Sequence, residues 1–197
     1  AGILPEIFVQ VDELDKEKEH YRLTLKDNGP GIPKSHLGKA LGQMLAGTKF
    51  HRYIQQRGQQ GIGAAACTMF SYLTTGQPTQ AVSVHKGKKI TASIGIDFKQ
   101  NKPEVDVIEE TDAQEGESGL TFISEFKDVR YERSNYGVYE YLRRTALANP
   151  HCSITLIEPN SERAVFPRSV IVNPAKALEI KPHPLGIGTH DLLEFAR

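Results

Sequence analysis

Two neighbouring segments of alternating hydrophobicity constrain the fold of this chain more than any other feature. The first spans residues 81–85, and the second follows a four-residue turn at 86–89. In the second segment the apolar residues occupy every other position: Ile90, Ala92, Ile94, Ile96 and Phe98. This period of two predicts strands with one face in a core and the other in solvent. Because the turn between them is short, the two strands must pair antiparallel as a hairpin.

The remaining segments predict a mixed α+β chain. Further strands are expected over 7–12, 20–26, 104–109 and 120–126, with a closing hairpin of 152–157 and 164–166. Helices are expected over 34–46, 64–73 and 134–148, the last capped by Ser134-Asn135, and a polar loop over 110–118. Strands that follow one another through short turns favour a two-layer α+β sandwich with helices on one face of a mixed, mostly antiparallel sheet. A doubly wound parallel sheet would need regular strand–helix alternation.

Composition excludes several other classes of protein. Of the 197 residues 39% are hydrophobic, so the chain can bury a core and is not expected to be disordered. The formal net charge is zero, which does not demand a nucleic-acid partner. No apolar run approaches the ~20 residues that cross a bilayer. With only Cys67 and Cys152, a disulfide framework is implausible, and a reducing, cytoplasmic compartment is expected.

The segment Asp27-Asn28-Gly29-Pro30-Gly31 ends the second predicted strand. Asp, Asn, Gly and Pro are turn residues, so a plain turn is one interpretation. The other is a ligand site, in which the glycines let a ligand approach the backbone while the Asp27 carboxylate accepts a hydrogen bond from an amine. The N6 amine of adenine is such a group.

A second glycine-rich segment, residues 57–66, runs directly into the helix predicted at 64–73. Helix N-termini carry unpaired N–H groups and partial positive charge, so they bind phosphates. Tight packing of Ala64–Ala66 is the alternative explanation. The dinucleotide-binding fingerprint requires a preceding strand and a P-loop requires G-x-x-x-x-G-K-[ST]; neither is present here.

Taken together, the two segments resemble those of the GHKL ATPases, a superfamily that includes gyrase B, heat-shock chaperones, mismatch-repair ATPases and histidine kinases. The shared order is D-x-G-x-G after a strand, then about thirty residues, then G-x-G opening a helix. Gly119-Leu120-Thr121 on a later strand is similar to the superfamily's adenine-supporting threonine motif. The resemblance implies the Bergerat α/β sandwich and an ATP site.

Three more segments, residues 45–50, 73–79 and 179–186, are similar to the B-subunit family of archaeal DNA topoisomerase VI. In that family ATP and Mg²⁺ bind to the B subunit, which dimerises on ATP. It works together with the A subunit, in an A2B2 assembly that passes double-stranded DNA through a break. The resemblance therefore implies those cofactors and partners, and a place at the nucleoid.

The same resemblance implies the role of each site residue. Asp27 would hold the adenine amine, Gly29 and Gly31 would admit the base to the backbone, and Thr121 would support it through water. Two residues would line the site at the base of a lid over 47–60: Thr48 and Lys49. The backbone that wraps the phosphates would be that of Gly58, Gln59, Gln60, Gly61, Ile62, Gly63, Ala64 and Ala65.

Some parts of the family's machinery are expected outside this sequence. The general-base Glu and the Mg²⁺-binding Asn belong to a helix upstream of residue 1, and a transducer Lys lies beyond residue 197. Residues 1–172 would form the ATP-binding domain, and 173–197 a proline-rich linker and the start of a helix-two-turns-helix domain. We assign no catalytic residue and no metal ligand within the chain, which alone is expected to be close to inactive. The alternative is a nucleotide-sensing interaction module without catalysis.

Overall fold

The computed structural model describes residues 2–46, 58, 60–175, 178, 188–189, 192–193 and 196. Eight strands and three helices lie within those residues. In chain order they are β1 (Glu6–Asp15), β2 (His20–Asp27), α1 (Lys34–Gly42), α2 (Gly63–Thr75), β3 (Thr79–His85), β4 (Lys88–Asp97), β5 (Lys102–Asp112), β6 (Gly119–Phe126), α3 (Val138–Ala148), β7 (Ser153–Ile157) and β8 (Arg163–Phe166). None of the described helices is long and apolar enough to cross a membrane.

All eight strands form one sheet in the order β5-β4-β3-β6-β2-β1-β7-β8. Neighbouring strands are antiparallel except β1 and β7, which are parallel. The predicted hairpin is β3–β4, and the second predicted hairpin is β7–β8. The mixed, mostly antiparallel α+β sheet is therefore confirmed.

The helices pack on one face of the sheet over two core clusters. The cluster under α1 and α2 consists of Leu37, Leu41, Ala81, Ile90, Ala92, Ile94 and Phe122. The cluster under α3 consists of Val9, Val11, Leu142, Cys152, Ile154 and Leu156. Leu25 of β2 packs against both clusters, so both lie on the same face. The opposite face, which we call the helix-free face, carries the alternate residues of every strand.

Helix α1 ends at Gly42, four residues before the predicted end at 46. It lies close against the sheet because it has glycines where side chains would collide. A Cβ at Gly38 would lie 2.7 Å from Val105 Cγ2, and one at Gly42 would lie 2.9 Å from Gly95 O. The glycines therefore set the separation between α1 and strands β4 and β5.

Two other predicted boundaries are wrong. Helix α3 begins at Val138 rather than at Ser134, because residues 134–137 form a turn in which the Gly137 N–H donates to Ser134 O at 3.0 Å. Gly137 is the N-cap, and a Cβ there would lie 2.2 Å from Glu132 O. Strand β5 continues to Asp112, into the polar segment predicted as a loop, because its pairing with β4 extends that far.

The C-terminal segment is described only in part. Asn173 Nδ2 donates to Ile3 O at 3.2 Å, which ties the end of the sandwich to its beginning. The Leu192 N–H donates to Gly188 O at 3.2 Å. Most of the predicted proline-rich linker, including Pro182 and Pro184, lies outside the described residues.

A buried carboxylate fastens the β7–β8 hairpin to the loop before α3. The Glu158 side chain is 2% exposed and is bonded to the Arg133 guanidinium. The Tyr131 hydroxyl donates to the same carboxylate at 2.7 Å. Arg133 lies 4.7 Å from the centre of the Tyr139 ring. The bond from Arg133 holds the pKa of Glu158 below its ordinary value.

We expect Arg133→Met to lower the Tm at pH 7 by about 4 °C, because it leaves the buried Glu158 carboxylate without its cation. The folded-state pKa of Glu158 is lowered, so its contribution is present above the unfolded value near 4.5 and is lost as pH falls through the folded value. The Tm difference between the two proteins should therefore shrink in acid. Arg130→Met removes an exposed ion pair with Glu19 and should leave the Tm unchanged. Equal effects of the two substitutions, measured by thermal denaturation, would contradict the assignment.

Candidate functional site

The turn after β2 lies in direct backbone contact with two other strands. Asp27 Oδ1 accepts the Gly29 N–H at 2.7 Å. Gly31 has φ +69°, and a Cβ there would lie 2.1 Å from Val84 O. Gly119 has φ +125°, and a Cβ there would lie 2.0 Å from Asp27 O. No side chain fits at Gly31 or Gly119, so glycine is required there by the fold itself.

Hydrogen bonds to β3 hold the same turn. Ser83 Oγ accepts the Ile32 N–H at 2.7 Å and donates to Ile32 O at 2.8 Å. His85 Nδ1 donates to Pro30 O at 2.7 Å. The roles of Ser83 and His85 could not be predicted from the sequence, because nothing in a strand's alternation identifies a tertiary partner some fifty residues away.

Asn28 connects the turn to β1. Its Oδ1 accepts the Glu6 N–H at 2.9 Å, and its Nδ2 donates to Leu4 O at 3.1 Å. Both polar ends of the side chain are thus occupied by backbone groups. Asn28 is therefore a structural residue of the turn.

Asp27 borders a half-buried apolar wall. Side chains alternate along β2, so Asp27 lies on the face of Leu25, toward the helices. The half-buried apolar residues around the first core cluster come from β2, β6, the turn and α2: Leu25, Leu120, Ile32, Ala64 and Cys67. A flat apolar ring in contact with this wall would leave water, and the carboxylate at its edge accepts hydrogen bonds. Nothing in the sequence distinguishes Leu25, Leu120 or Ile32 from other apolar residues as members of a site.

Helix α2 begins without a side-chain cap. Its N-cap is Ile62, which makes no side-chain capping bond, and its first turn holds no acidic residue. The Ala66 N–H donates to Ile62 O at 2.8 Å. The N–H groups of Gly63, Ala64 and Ala65 therefore have no protein acceptor in the described part of the chain, and an anion could take that position.

The residues before α2 differ in what they can contribute. Gly61 has φ +66°, and its carbonyl accepts the Leu45 N–H at 3.1 Å. A Cβ at Gly63 would meet none of the described residues within 4 Å. Ala65 is 2% exposed and contributes its side chain to the core. Gly58 and Gln60 are exposed.

Thr121 and Asp27 both line a cavity at the ends of β2 and β6, but Thr121 is not the register partner of Asp27. Leu25 and Phe122 are register partners on the helix side, so the next pair, Lys26 and Thr121, lies on the helix-free face. The β6 residue on the side of Asp27 is Leu120, which packs against the first core cluster. A role for Thr121 beside Asp27 therefore stays a prediction.

Three predicted site residues, Thr48, Lys49 and Gln59, lie outside the described residues, as does most of the predicted lid over 47–60. Within the described ranges, no group of three metal-ligating side chains lies close enough to hold an ion. The described part of the site therefore consists of one carboxylate, an apolar wall and a helix N-terminus.

An apolar groove of about 420 Å³ lies on the helix side of the sheet between α2 and the segment leading into α3. Phe70 of α2 and Phe126 of β6 stack at its edge with their ring centres 5.7 Å apart. Cys67 lines the groove, and burial raises the pKa of its thiol. The other lining residues include Leu23, Tyr21 and Val138.

The described site combines a carboxylate at a strand end, a half-buried apolar wall and an uncapped helix N-terminus in one α+β sandwich. Residues 3–120 match the family described as histidine kinase-, DNA gyrase B- and HSP90-like ATPases. The chain belongs to this ATPase family.

Relatives identified by sequence share a more specific name than that of the family. The chain is 45% identical over 196 residues to the B subunit of type 2 DNA topoisomerase 6 from Pyrococcus horikoshii, covering all of this chain and 34% of that protein. It is 40% identical over 201 residues to the protein of the same name from Methanothermobacter thermautotrophicus, covering 38% of that protein. The chain therefore spans little more than a third of the length of these curated relatives.

Solved structures with a similar fold are more distant. The 43K ATPase domain of Thermus thermophilus gyrase B, in complex with an aminocoumarin, has a TM-score of 0.47 and 16% identity, over 82% of this chain and 39% of that one. The Aquifex aeolicus MutL ATPase domain complexed with ADP has a TM-score of 0.48 and 14% identity, over 84% and 57% respectively.

We expect Gly63→Val to weaken ATP binding at least tenfold while leaving the Tm within about 2 °C, because the new side chain enters open space beside the first N–H groups of α2. Calorimetric titration with ATP and thermal denaturation measure the two effects. Gly95→Ala, in β4, places a Cβ at an ordinary 3.4 Å from Glu104 Oε2 and serves as the control. Normal ATP affinity in Gly63→Val would mean that these glycines only start a helix.

Proposed function

We propose that this chain is the ATP-binding domain of the B subunit of a type IIB DNA topoisomerase, and that ATP lies between the turn after β2 and the start of α2. The observation that carries the proposal is the uncapped N-terminus of α2, with Gly63 open beside it. It lies in the same layer as the Asp27 carboxylate. This arrangement offers an anion site and an amine acceptor on one face of the sheet.

Each part of the proposed site has a distinct chemical task. The Asp27 carboxylate has one oxygen bonded to Gly29 N and another left to accept the N6 amine of adenine. The 6-oxo group of guanine has no proton to donate there, so the carboxylate selects adenine. Leu25 and Leu120 would remove one face of the base from water. The N–H groups at Gly63 and Ala64 would bind phosphate oxygens.

Mg²⁺ enters this proposal with the nucleotide. Mg²⁺ is held by few protein oxygens together with substrate phosphates, and it keeps several waters. The described residues supply no cluster of ligands for it. We therefore propose that its protein ligand, and the carboxylate that activates water for hydrolysis, come from outside the described residues.

At the level of the whole protein, we propose that ATP binding drives pairing of two B subunits. Hydrolysis would then be coupled to passage of double-stranded DNA, together with the A subunit. The support is the name shared by relatives that are 40% and 45% identical across all of this chain.

The apolar groove has a place in the same proposal. The resemblance implies a helix that carries the general base and precedes this sequence. We propose that this helix packs in the groove beside Cys67 and Phe70, where its apolar face would be covered. Its polar face would then lie next to the α2 N-terminus.

We expect Asp27→Asn to weaken ATP binding by roughly 1–3 kcal/mol, because the amide loses the negative charge and offers an NH₂ where adenine also presents one. Calorimetry on the chain with its upstream residues restored measures the affinity. Asp97→Asn is the matched control, since Asp97 also ends a strand and its Oδ1 accepts a backbone N–H two residues on, from Lys99 at 2.8 Å. Unchanged ATP affinity in Asp27→Asn would refute the adenine assignment.

We expect maleimide to label Cys67 faster in the 197-residue chain than in a longer chain with the upstream residues of the same gene. The helix would cover the groove that Cys67 lines. Cys152, which is 4% exposed under α3, should react slowly in both and is the internal control. Equal Cys67 rates in the two chains would show that the groove is not covered by upstream residues.

A further inference from the structure

The helix-free face carries a row of side chains that runs across its central strands. Phe8 of β1 is the register partner of Lys26 on β2 and of Thr155 on β7. Lys26 pairs with Thr121 of β6, and Thr121 pairs with Val82 of β3. Register partners lie on one face, so an aromatic ring, an ammonium group, two hydroxyls and an aliphatic side chain are neighbours.

These residues line a cavity of about 950 Å³ that is separate from both the apolar groove and the α2 N-terminus. The segment 116–118, between β5 and β6, forms one wall, and Ser153 with Thr155 of β7 forms the opposite one. The Ala113 N–H donates to Gly87 O at 2.9 Å, which anchors the 113–118 segment to the β3–β4 turn. The volume is that of a small-molecule site.

Three carboxylates line this cavity: Glu6, Asp27 and Glu117. Asp27, at the end of β2, accepts the Gly29 N–H, and the other two are bonded to cations other than Lys26. Glu117 Oε1 accepts from Lys89 Nζ at 2.8 Å, and Glu6 Oε1 accepts from Arg168 at 2.8 Å. The charge of Lys26 also helps to lower the pKa of Glu117, but less than the bond from Lys89 does. Lys26 itself forms no ion pair within the described part of the chain. The cavity floor thus presents one ammonium group without a direct carboxylate contact, next to the Phe8 ring.

The hydroxyl groups around Lys26 are also available. The Oγ atoms of Ser118, Thr121, Ser153 and Thr155 make no hydrogen bond to the described residues. Each can donate one hydrogen bond and accept others. Hydroxyls that surround a cation on both walls of a cavity suit an oxyanion, which accepts from all of them at once.

We propose that this cavity binds a small organic anion, with its phosphate or carboxylate at Lys26 and the hydroxyls, and its apolar body against Phe8 and Val82. The centre of the cavity at Lys26 is separate from the α2 N-terminus, while Asp27, which ends β2, borders both this cavity and the proposed nucleotide site. The centre lies on the opposite side of the same two strand ends, since Lys26 precedes Asp27 and Thr121 follows Leu120 along the chain.

Titration of the isotope-labelled 197-residue chain with phenyl phosphate, followed by amide chemical shifts, tests the proposal. We expect the largest shifts at Phe8, Thr121 and Thr155. Lys26→Met, which keeps the length of an exposed side chain but removes its charge, should weaken binding at least tenfold. Thr121→Val, which replaces a hydroxyl by a methyl, should weaken it severalfold. Lys18→Met, at the exposed β1–β2 turn, should bind like the parent.

Two further probes separate the parts of the ligand. Benzoate in place of phenyl phosphate distinguishes a carboxylate site from a phosphate site, and either one binding with the Lys26 dependence supports the proposal. Inorganic phosphate should bind more weakly than phenyl phosphate, because it has no body to contact Phe8. Shifts confined to residues 61–66, or an affinity unchanged by Lys26→Met, would overturn the proposal. Equal affinity for phenyl phosphate and inorganic phosphate would overturn its organic ligand class.

Discussion

The close backbone contact between the turn after β2 and the ends of β3 and β6 is the constraint on which the rest of the site depends. Gly31 lies against Val84 O and Gly119 against Asp27 O, at separations that no Cβ could enter. Ser83 and His85 then fix the turn to β3 through hydrogen bonds. Because the strand ends are joined in this way, the Asp27 carboxylate is held at a defined position at the edge of the apolar wall, before any ligand arrives.

The alternation of the strands follows from the same sheet and gives it two unlike faces. One face buries the two core clusters under three helices, and the other carries hydroxyls, amides and charges. A displacement of one residue along β2 moves a side chain from one environment to the other, as Lys26 and Asp27 illustrate. The chemistry of each strand end is therefore decided by register. Residue type alone does not determine it.

Register also explains how much the sequence could predict. The β3–β4 hairpin and the strands 7–12 and 20–26 were predictable, because burying one face of a sheet leaves a period of two in the sequence. The Thr121 placement was not, since a motif of Gly119 and Thr121 does not say which face its threonine occupies. The predicted start of α3 was wrong for another reason. Ser134-Asn135 has the composition of an N-cap, but Gly137 must pass close to Glu132 O before the helix can begin. The Ser83 and His85 contacts are tertiary and leave no local pattern.

The glycines of the two motifs do not carry equal weight as signs of a ligand. Gly31 has a positive φ and no space for a Cβ, so the fold requires it whether or not a base binds nearby. Gly63 has neither constraint: its φ is not positive, and a Cβ there would meet none of the described residues within 4 Å. The described part of the fold gives no steric reason for glycine at that position. A group that must approach the first N–H bonds of α2 does give one, and the tetrahedral oxygens of a phosphate have the required size and charge.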